Sequence, residues 1–548
     1  MIVIDIETNL LHNHIWCAGV AYEGGMTRLF KPDDILELQD LVEQEDYVVA
    51  HNGVTFDFPK LAELWGIHVP PEKQVDTLIM SKLHNAGIEG GHSLQAWGER
   101  MGKTMKQEFD LADFDEGYTE KMGKYCVNDT IVCLELYLEL KRRLKRDGFS
   151  GQSLQIEHDI ARLTYQQKVN GFKLDIDKAT KLFVDMSTRM LEIEGILKER
   201  FPPIVTERWS EKTGKRLKDS IEVFNVGSRQ QVARRLQTLG AVFKEETATG
   251  HPVVNEKTLS AMSHIPEAAL VLEYLTCQKG AGMVDSWLAA VGDDGRVHGN
   301  VQTLGAATGR MTHSSPNMAQ IPSAHEFREC WTVDEGRRLV GADAAQLELR
   351  LLAHYMQDPE YIKQILEGDI HTYNQNAAGL ATRDEAKTFI YALIYGAGDG
   401  KIGQIAGGGS GKGKALKSKF KASLPAYKEL ADKVNALAES AGVVPGLDGR
   451  RIRLRQVHAA LNYLLQGAGA IIMKKAAVLL MDLVDKNGWD AKLVAQVHDE
   501  FQLDCAADVA HAVGQAAVDC IVAAGVHFNT RCPMDGEYKV GTSWADTH

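Results

Sequence analysis

Arg383, Lys387, Tyr391 and Tyr395 recur every four residues through RDEAKTFIYALIYG. A four-residue step on an α-helix drifts only about 40° around the axis, so two cations, a phenol ring and a second tyrosine line one stripe. A guanidinium and an ammonium one turn apart suit a polyphosphate, and a ring one turn further can meet a flat base. A solvated helix face also carries Arg and Lys, so the stripe acquires meaning only from its company. Residues 338–343, RLVGAD, read as a strand that runs into the helical LELRLLAHYM, which puts Asp343 at a strand end and Glu348 just inside the helix. LVAQVHDEFQLD alternates apolar and polar residues on both sides of His498-Asp499-Glu500, as a hairpin with acids at its tip would. Carboxylates that converge from distant segments can hold two magnesium ions, stabilising the attacking and leaving oxygens of an in-line phosphoryl displacement.

A second set of acids lies in the first quarter of the chain. Asp5 and Glu7 sit two residues apart on the strand-like IVIDIET, so alternation places both on one face. A second strand, 47–50, leads into HNGVTFD and ends on Asp57, and YCVNDT places Tyr125 one helical turn before Asp129. Four acids and a tyrosine from three segments make a two-metal site for hydrolysing a phosphodiester, with the tyrosine orienting water.

The elements that must position these groups need several domains, because 548 residues exceed what one core supports. No stretch approaches the roughly 20 apolar residues that span a bilayer, and MIVIDIETNL enters a strand with no basic leader, so neither membrane nor signal peptide is expected. Eight scattered cysteines with no CxxC pair argue against a zinc site or a disulfide framework and suit a reducing cytoplasm. The net charge of −13 is unusual for a nucleic-acid binder. Local basic runs at 141–146, 211–218, 412–421 and 449–455 are expected to track phosphates in a cleft, although each could be a solvated face. GGGSGKGK, 407–414, has the glycines and lysine of a phosphate loop, but no Ser or Thr follows Lys412 and no strand precedes it, so a flexible basic loop is expected instead.

DAAQLELRLLAHY, RDEAKTFIYALIYGAG and QVHDE resemble motifs A, B and C of the family A DNA polymerases, most closely the replicative enzymes of T-seven-type short-tailed phages. TGRMTHSSPNMAQIP, GLDGRR and AALNYLLQGAGA carry the likeness across most of 300–548, while DIET, HNGVTFD and YCVND resemble the proofreading 3′–5′ exonucleases of the DEDD type with tyrosine. The resemblance implies an α/β and α+β multidomain fold: a ribonuclease-H-like exonuclease domain (1–145), a thumb with connecting helices (146–300), palm (301–358 and 490–548) and fingers with adjoining palm helices (359–489).

It also implies roles. Asp343, Asp499 and the Ala344 carbonyl hold two Mg2+ ions (Mn2+ can substitute), with Glu500 supporting them. Asp5, Glu7, Asp57 and Asp129 hold two divalent ions in the exonuclease site beside Tyr125. Arg383, Lys387 and His371 bind the triphosphate, Tyr391 faces sugar and base, Glu348 excludes a 2′ hydroxyl, and Tyr395 stands near the templating position. Arg310, Gln320, Asn462, Gln466 and His498 contact primer-template DNA. The expected partners are primer-template, dNTPs and a replicative helicase-primase, for a monomer in the cytoplasm of the host cell of a phage.

The chain departs from the T-seven pattern between Phe201 and Phe224, where about 20 residues are too few for a thioredoxin-capturing insertion, so thioredoxin is not an expected partner. A single-subunit RNA polymerase is disfavoured by Glu348 and the exonuclease acids. A bacterial-type repair polymerase usually carries a further 5′ nuclease domain, and a catalytically silent DNA-binding scaffold would have lost its carboxylates.

Overall fold

IVIDIET forms β1 (Ile2–Thr8) of a computed structural model that describes residues 1–104, 106, 109–110, 114–115 and 117–548. With β2 (Ile15–Tyr22), β3 (Thr27–Phe30), β4 (Val48–Ala50) and β5 (Gln74–Asp76) it makes a sheet of order β3-β2-β1-β4-β5. β2 and β3 run antiparallel to their neighbours, whereas β4 and β5 follow β1 in parallel. Alternation sends Ile2, Ile4 and Ile6 into one core and Val3 into another, formed with Val132, Cys133 and Leu136 of α1 (Glu120–Arg146). Asp5 and Glu7 therefore share the face that looks toward α1.

The second sheet is built from β6 (Arg337–Ala344), β7 (Ala491–Val497), β8 (Glu500–Ala506) and β9 (Gly536–Gly541), all antiparallel in the order β7-β8-β6-β9. Val340, Ala342 and Ala344 of β6 and Phe501, Leu503 and Cys505 of β8 enter one core. Asp343, Glu500, Gln502 and Asp504 are left on the opposite face. α2 (Gly151–Asn170) joins the two cores, giving Ile160 to the larger and Ala161, 100° around the helix, to that of the first sheet.

These parts belong to one unit: 1–171, 298–320 and 333–548. α2 falls within it, whereas the sequence division at 145/146 assigns that helix to the thumb. The other unit, 172–297 with 321–332, holds two long packed helices, Ile176–Arg200 and Pro266–Ala290, and a three-stranded sheet. A β-hairpin, Ile204–Trp209 paired with Arg216–Glu222, occupies the short stretch before Phe224.

The basic loop expected around 407–414 is a helix from Ser410 to Ser423, and only the three glycines before it lie outside. Leu416 and Phe420, one turn apart, are buried, and a Cβ on Gly413 would stand 1.9 Å from the Asp399 carbonyl oxygen. The glycine permits a close helix approach that its flexibility alone would not suggest. The 141–146 run ends α1, where Arg142 and Arg143 bond Glu139. All eight cysteines are free thiols, and among the described residues no helix is long and apolar enough to cross a membrane.

Candidate active sites

Register assembles the first site. Asp343 lies opposite Glu500 on one neighbour and opposite Glu537 on the other, a row of three acids across β8-β6-β9. Directly opposed like charges destabilise a sheet. The pairing brings β9 so close that a Cβ on Gly536 would stand 2.8 Å from the Asp343 carbonyl oxygen. His498 and Asp499 form the two-residue turn between β7 and β8, with His498 at φ 57°, and the Ala344 N–H donates to the Asp499 carbonyl at 3.0 Å. Burial, and then Asp499, Glu500, Glu537 and Glu348, push the Asp343 carboxyl up to about 8. Burial and Glu348 raise Asp499. An all-oxygen cluster with this excess of negative charge fits hard divalent cations such as Mg2+.

Glu500 was expected at the hairpin tip. It is instead the first residue of β8, buried, with its oxygens engaged by the C-terminal segment. Trp544 Nε1 donates to Oε1 at 2.6 Å, His548 Nδ1 lies 3.1 Å from Oε2, and Gln502 Nε2 also donates. That segment can seat because β6 carries Gly341, where a Cβ would meet the Thr547 carbonyl oxygen at 2.4 Å. Glu537, Trp544 and His548 were missed in the sequence. For Glu537 the alternation of GEYKVG was the available signal, and for the other two there was none.

The stripe forms α4 (Arg383–Ile394), started by a reciprocal cap in which Thr382 and Glu385 bond each other's backbone N–H. Tyr395 is its C-cap and not a helical residue, and Gly396 follows at φ 74°. Arg383 Nε donates to Asp369 Oδ2 at 2.7 Å, and Lys387 is exposed. The His371 ring lies 6.4 Å from that of Tyr391, and its buried Nδ1 has no hydrogen-bond partner among the described residues. Tyr391 is pushed up to about 12 by burial, then by Glu348, Tyr395, Asp499 and Asp343.

Glu348, on α3 (Leu347–Met356), gathers neighbours at one oxygen: Arg310 Nη2 and Tyr395 Oη both donate to Oε1 at 2.9 Å. Asn462 and Gln466 share a face of α5 (Ala460–Asn487), and Asn462 Nδ2 donates to the Tyr395 carbonyl at 3.0 Å. Arg310, His313, Lys474, Gln496, His498 and Asp499 line a cavity of about 170 Å³. Gln320 is exposed in the short helix Met318–Gln320, whose Ala319 lines that cavity.

The second site lies between β1 and α1. Asp57 Oδ1 accepts the Ile6 N–H at 3.1 Å, inserting its carboxylate beside the backbone between Asp5 and Glu7. Burial raises all four acids. Neighbouring acids add to this for Asp5, Glu7 and Asp57, taking Glu7 to about 8 and Asp57 to about 7, whereas Lys106 and Tyr125 offset it at Asp129. Cys126 comes within ligand reach of Asp5 and Glu7, but its thiol donates to the Asp5 carbonyl at 3.3 Å and belongs to the packing. The carboxylates again suit a hard cation. Lys106, another residue missed in the sequence, bonds Asp129 and stands 4.7 Å from the centre of the Tyr125 ring.

Residues 205–546 match the family model described as DNA polymerase family A. The chain is 34% identical to the "DNA-directed DNA polymerase" of Escherichia phage T7, and equally to that of Enterobacteria phage T3, over the whole of both chains in each case. It is 27% identical to DNA polymerase I of Aquifex aeolicus, covering 94% of this chain and 91% of that one. In fold it is similar to the POL domain of Pol1 from M. smegmatis, solved in complex with DNA primer-template and dNTP, with a TM-score of 0.82 at 20% identity, covering 100% of this chain and 95% of that one.

Proposed function

The chain belongs to DNA polymerase family A and is a DNA-directed DNA polymerase, and from this we propose that Asp343 and Asp499 centre its nucleotidyl-transfer site while Asp5, Glu7, Asp57 and Asp129 centre a 3′–5′ proofreading site. The observation that carries the reading is the hydrogen bond from Tyr395 Oη to Glu348 Oε1, which ties the end of the stripe of cations and rings to an acid, with the register that sets Asp343 opposite Glu500 beside the Asp499 turn. Asp343, Asp499 and the Ala344 carbonyl would hold divalent cations, Mg2+ or Mn2+, which when bound offset phosphate charge and favour an ionised 3′ oxygen.

Arg383, Lys387 and His371 grip the triphosphate once Arg383 leaves Asp369. Tyr391 takes the sugar and base, and Glu348 closes the space of a 2′ hydroxyl. The primer 3′ oxygen attacks the α-phosphorus and pyrophosphate departs. Arg310, Asn462 and Gln466 touch minor-groove acceptors common to correct pairs, so they report geometry and not sequence. Gln320 and His498 are assigned to the DNA as well. In the second site Tyr125 orients the water that cleaves the terminal phosphodiester.

Primer-template DNA and dNTPs are the substrates in this reading, a helicase-primase is a further partner, and the chain acts as a monomer in phage genome replication. The domain division of 1–145, 146–300, 301–358, 359–489 and 490–548 is retained as its functional map.

Primer extension and 3′ degradation by Asp343→Ala and by Asp5→Ala/Glu7→Ala test both assignments. Each variant is expected to lose one activity and keep the other. Loss of both by either variant, or loss of neither, rejects two independent sites.

A further inference from the structure

A cavity of about 220 Å³ opens between the helix Thr77–Asn85 of the first sheet's domain and the strand Arg451–Arg453. Lys82, Asn85 and Gly87 line one side, and Arg451, Arg453 and Arg455 the other. No carboxylate is among the described residues that line it, in a chain whose net charge is −13.

The strand explains the array. In RIRLR, alternation buries Ile452 and leaves Arg451 and Arg453 exposed, with Arg455 following. Arg453 is partly engaged, with Nε on the His84 carbonyl at 3.2 Å and Nη2 3.4 Å from Asp147. Arg451 and Arg455 make no ion pair among the described residues. The Arg455 guanidinium crosses the gap, lying 3.6 Å from where a Cβ on Gly87 would stand. Arg450, at the back of the cavity, is neutralised by Glu157 and Asp448, which leaves Arg451 and Arg455 as the cations that favour an anion, and guanidinium groups match phosphate oxygens in particular.

Two boundaries point to the ligand. The wall also includes Gly309, the residue before Arg310 of the polymerase site. Lys82 continues into a second cleft, of about 710 Å³, that reaches Phe56 beside Asp57. The two clefts thus share Lys82 and border chain neighbours of both sites, and a cavity of about 220 Å³ takes one phosphodiester, not a duplex.

We propose that Lys82, Arg451 and Arg455 form a binding site for the phosphodiester backbone of single-stranded DNA, separate from both sets of catalytic acids. The strand can be the unpaired 3′ end of the primer or the template ahead of it, since the backbone chemistry is the same.

The test is the salt dependence of binding, in EDTA, of a blunt duplex, a primer-template with an unpaired primer tail, and one with a long template overhang. Arg451→Ala/Arg455→Ala is expected to flatten the slope of log K against log salt by about 1.4 on a single-stranded arm. The blunt duplex should be unaffected, and Arg451→Lys/Arg455→Lys should restore most of the slope. A change on the primer-tail arm alone identifies the primer as the ligand, and a change on the overhang arm alone identifies the template. No change on either arm, or an equal change on the blunt duplex, overturns the proposal. Unaltered melting of the Ala variant, with extension from a short-overhang primer intact, separates this outcome from misfolding or loss of the polymerase reading itself.

Discussion

The hydroxyl of Tyr395 donates to Oε1 of Glu348 at 2.9 Å, the same oxygen that receives Arg310. A residue at the end of the α4 stripe, one at the start of α3 and one in the 303–310 segment therefore meet at a single atom. Glu348→Ala leaves a phenol and a guanidinium without their acceptor, a loss of about 1–3 kcal/mol where water cannot replace it. The kcat/KM for a correct dNTP should fall roughly 10- to 100-fold, while discrimination against the matching ribonucleotide narrows. Glu348→Gln keeps an acceptor and should fall less. Single-nucleotide kinetics with both sugars decide this, and unchanged discrimination would remove Glu348 from sugar selection.

Asp343, pushed up to about 8 by burial and its acidic neighbours, keeps its proton in the cation-free fold, whereas an unfolded chain releases it near 3.9. Its stabilising contribution is complete below the unfolded value and is lost as pH rises through the folded one. Glu7, at about 8, and Asp57, at about 7, carry the same sign. In EDTA the melting temperature should therefore drop between about pH 4 and 8 and level off above, and the gain from millimolar Mg2+ should grow over that interval. Asp343→Asn should flatten both trends. A gain from Mg2+ that stays constant with pH would contradict the assignment of these acids to cations.

Glu500 depends on residues near the C-terminus. Trp544→Phe keeps the buried ring but deletes the 2.6 Å N–H bond to a carboxylate, at a cost of about 1.5–3 kcal/mol. Urea unfolding should show a lower midpoint, and extension should suffer while 3′ degradation does not. His548 is 44% exposed on its side chain, so His548→Ala should cost less than about 1 kcal/mol. Equal effects of the two substitutions would mean that the indole bond contributes nothing of its own.

Tyr125 is half buried beside Lys106, with Phe109 and Phe114 rings 5.1 and 6.4 Å away. Packing holds the ring, so Tyr125→Phe isolates the hydroxyl. Degradation of a single-stranded 3′ end should fall about 10²-fold, with extension unaltered. Wild-type degradation in that variant would exclude the hydroxyl from orienting water.

The alternation of IVIDIET determined that Asp5 and Glu7 share a face, and the four-residue step determined that Arg383, Lys387 and Tyr391 do. QVHDEF determined a hairpin with Asp499 at its tip. These are local periodicities, set by pleat and helix pitch over a few residues, and they survive any tertiary arrangement. The division of labour among the acids was not local. Glu537 enters the row only because β9 pairs with β6 in one register, and Glu500 is withdrawn from the turn because Trp544 and His548 reach it from the other end of the sheet. Lys106 meets Asp129, and the helix from Ser410 forms over glycines, for the same reason. Partners brought together by packing leave no spacing in the chain, so burial and register decided what periodicity could not.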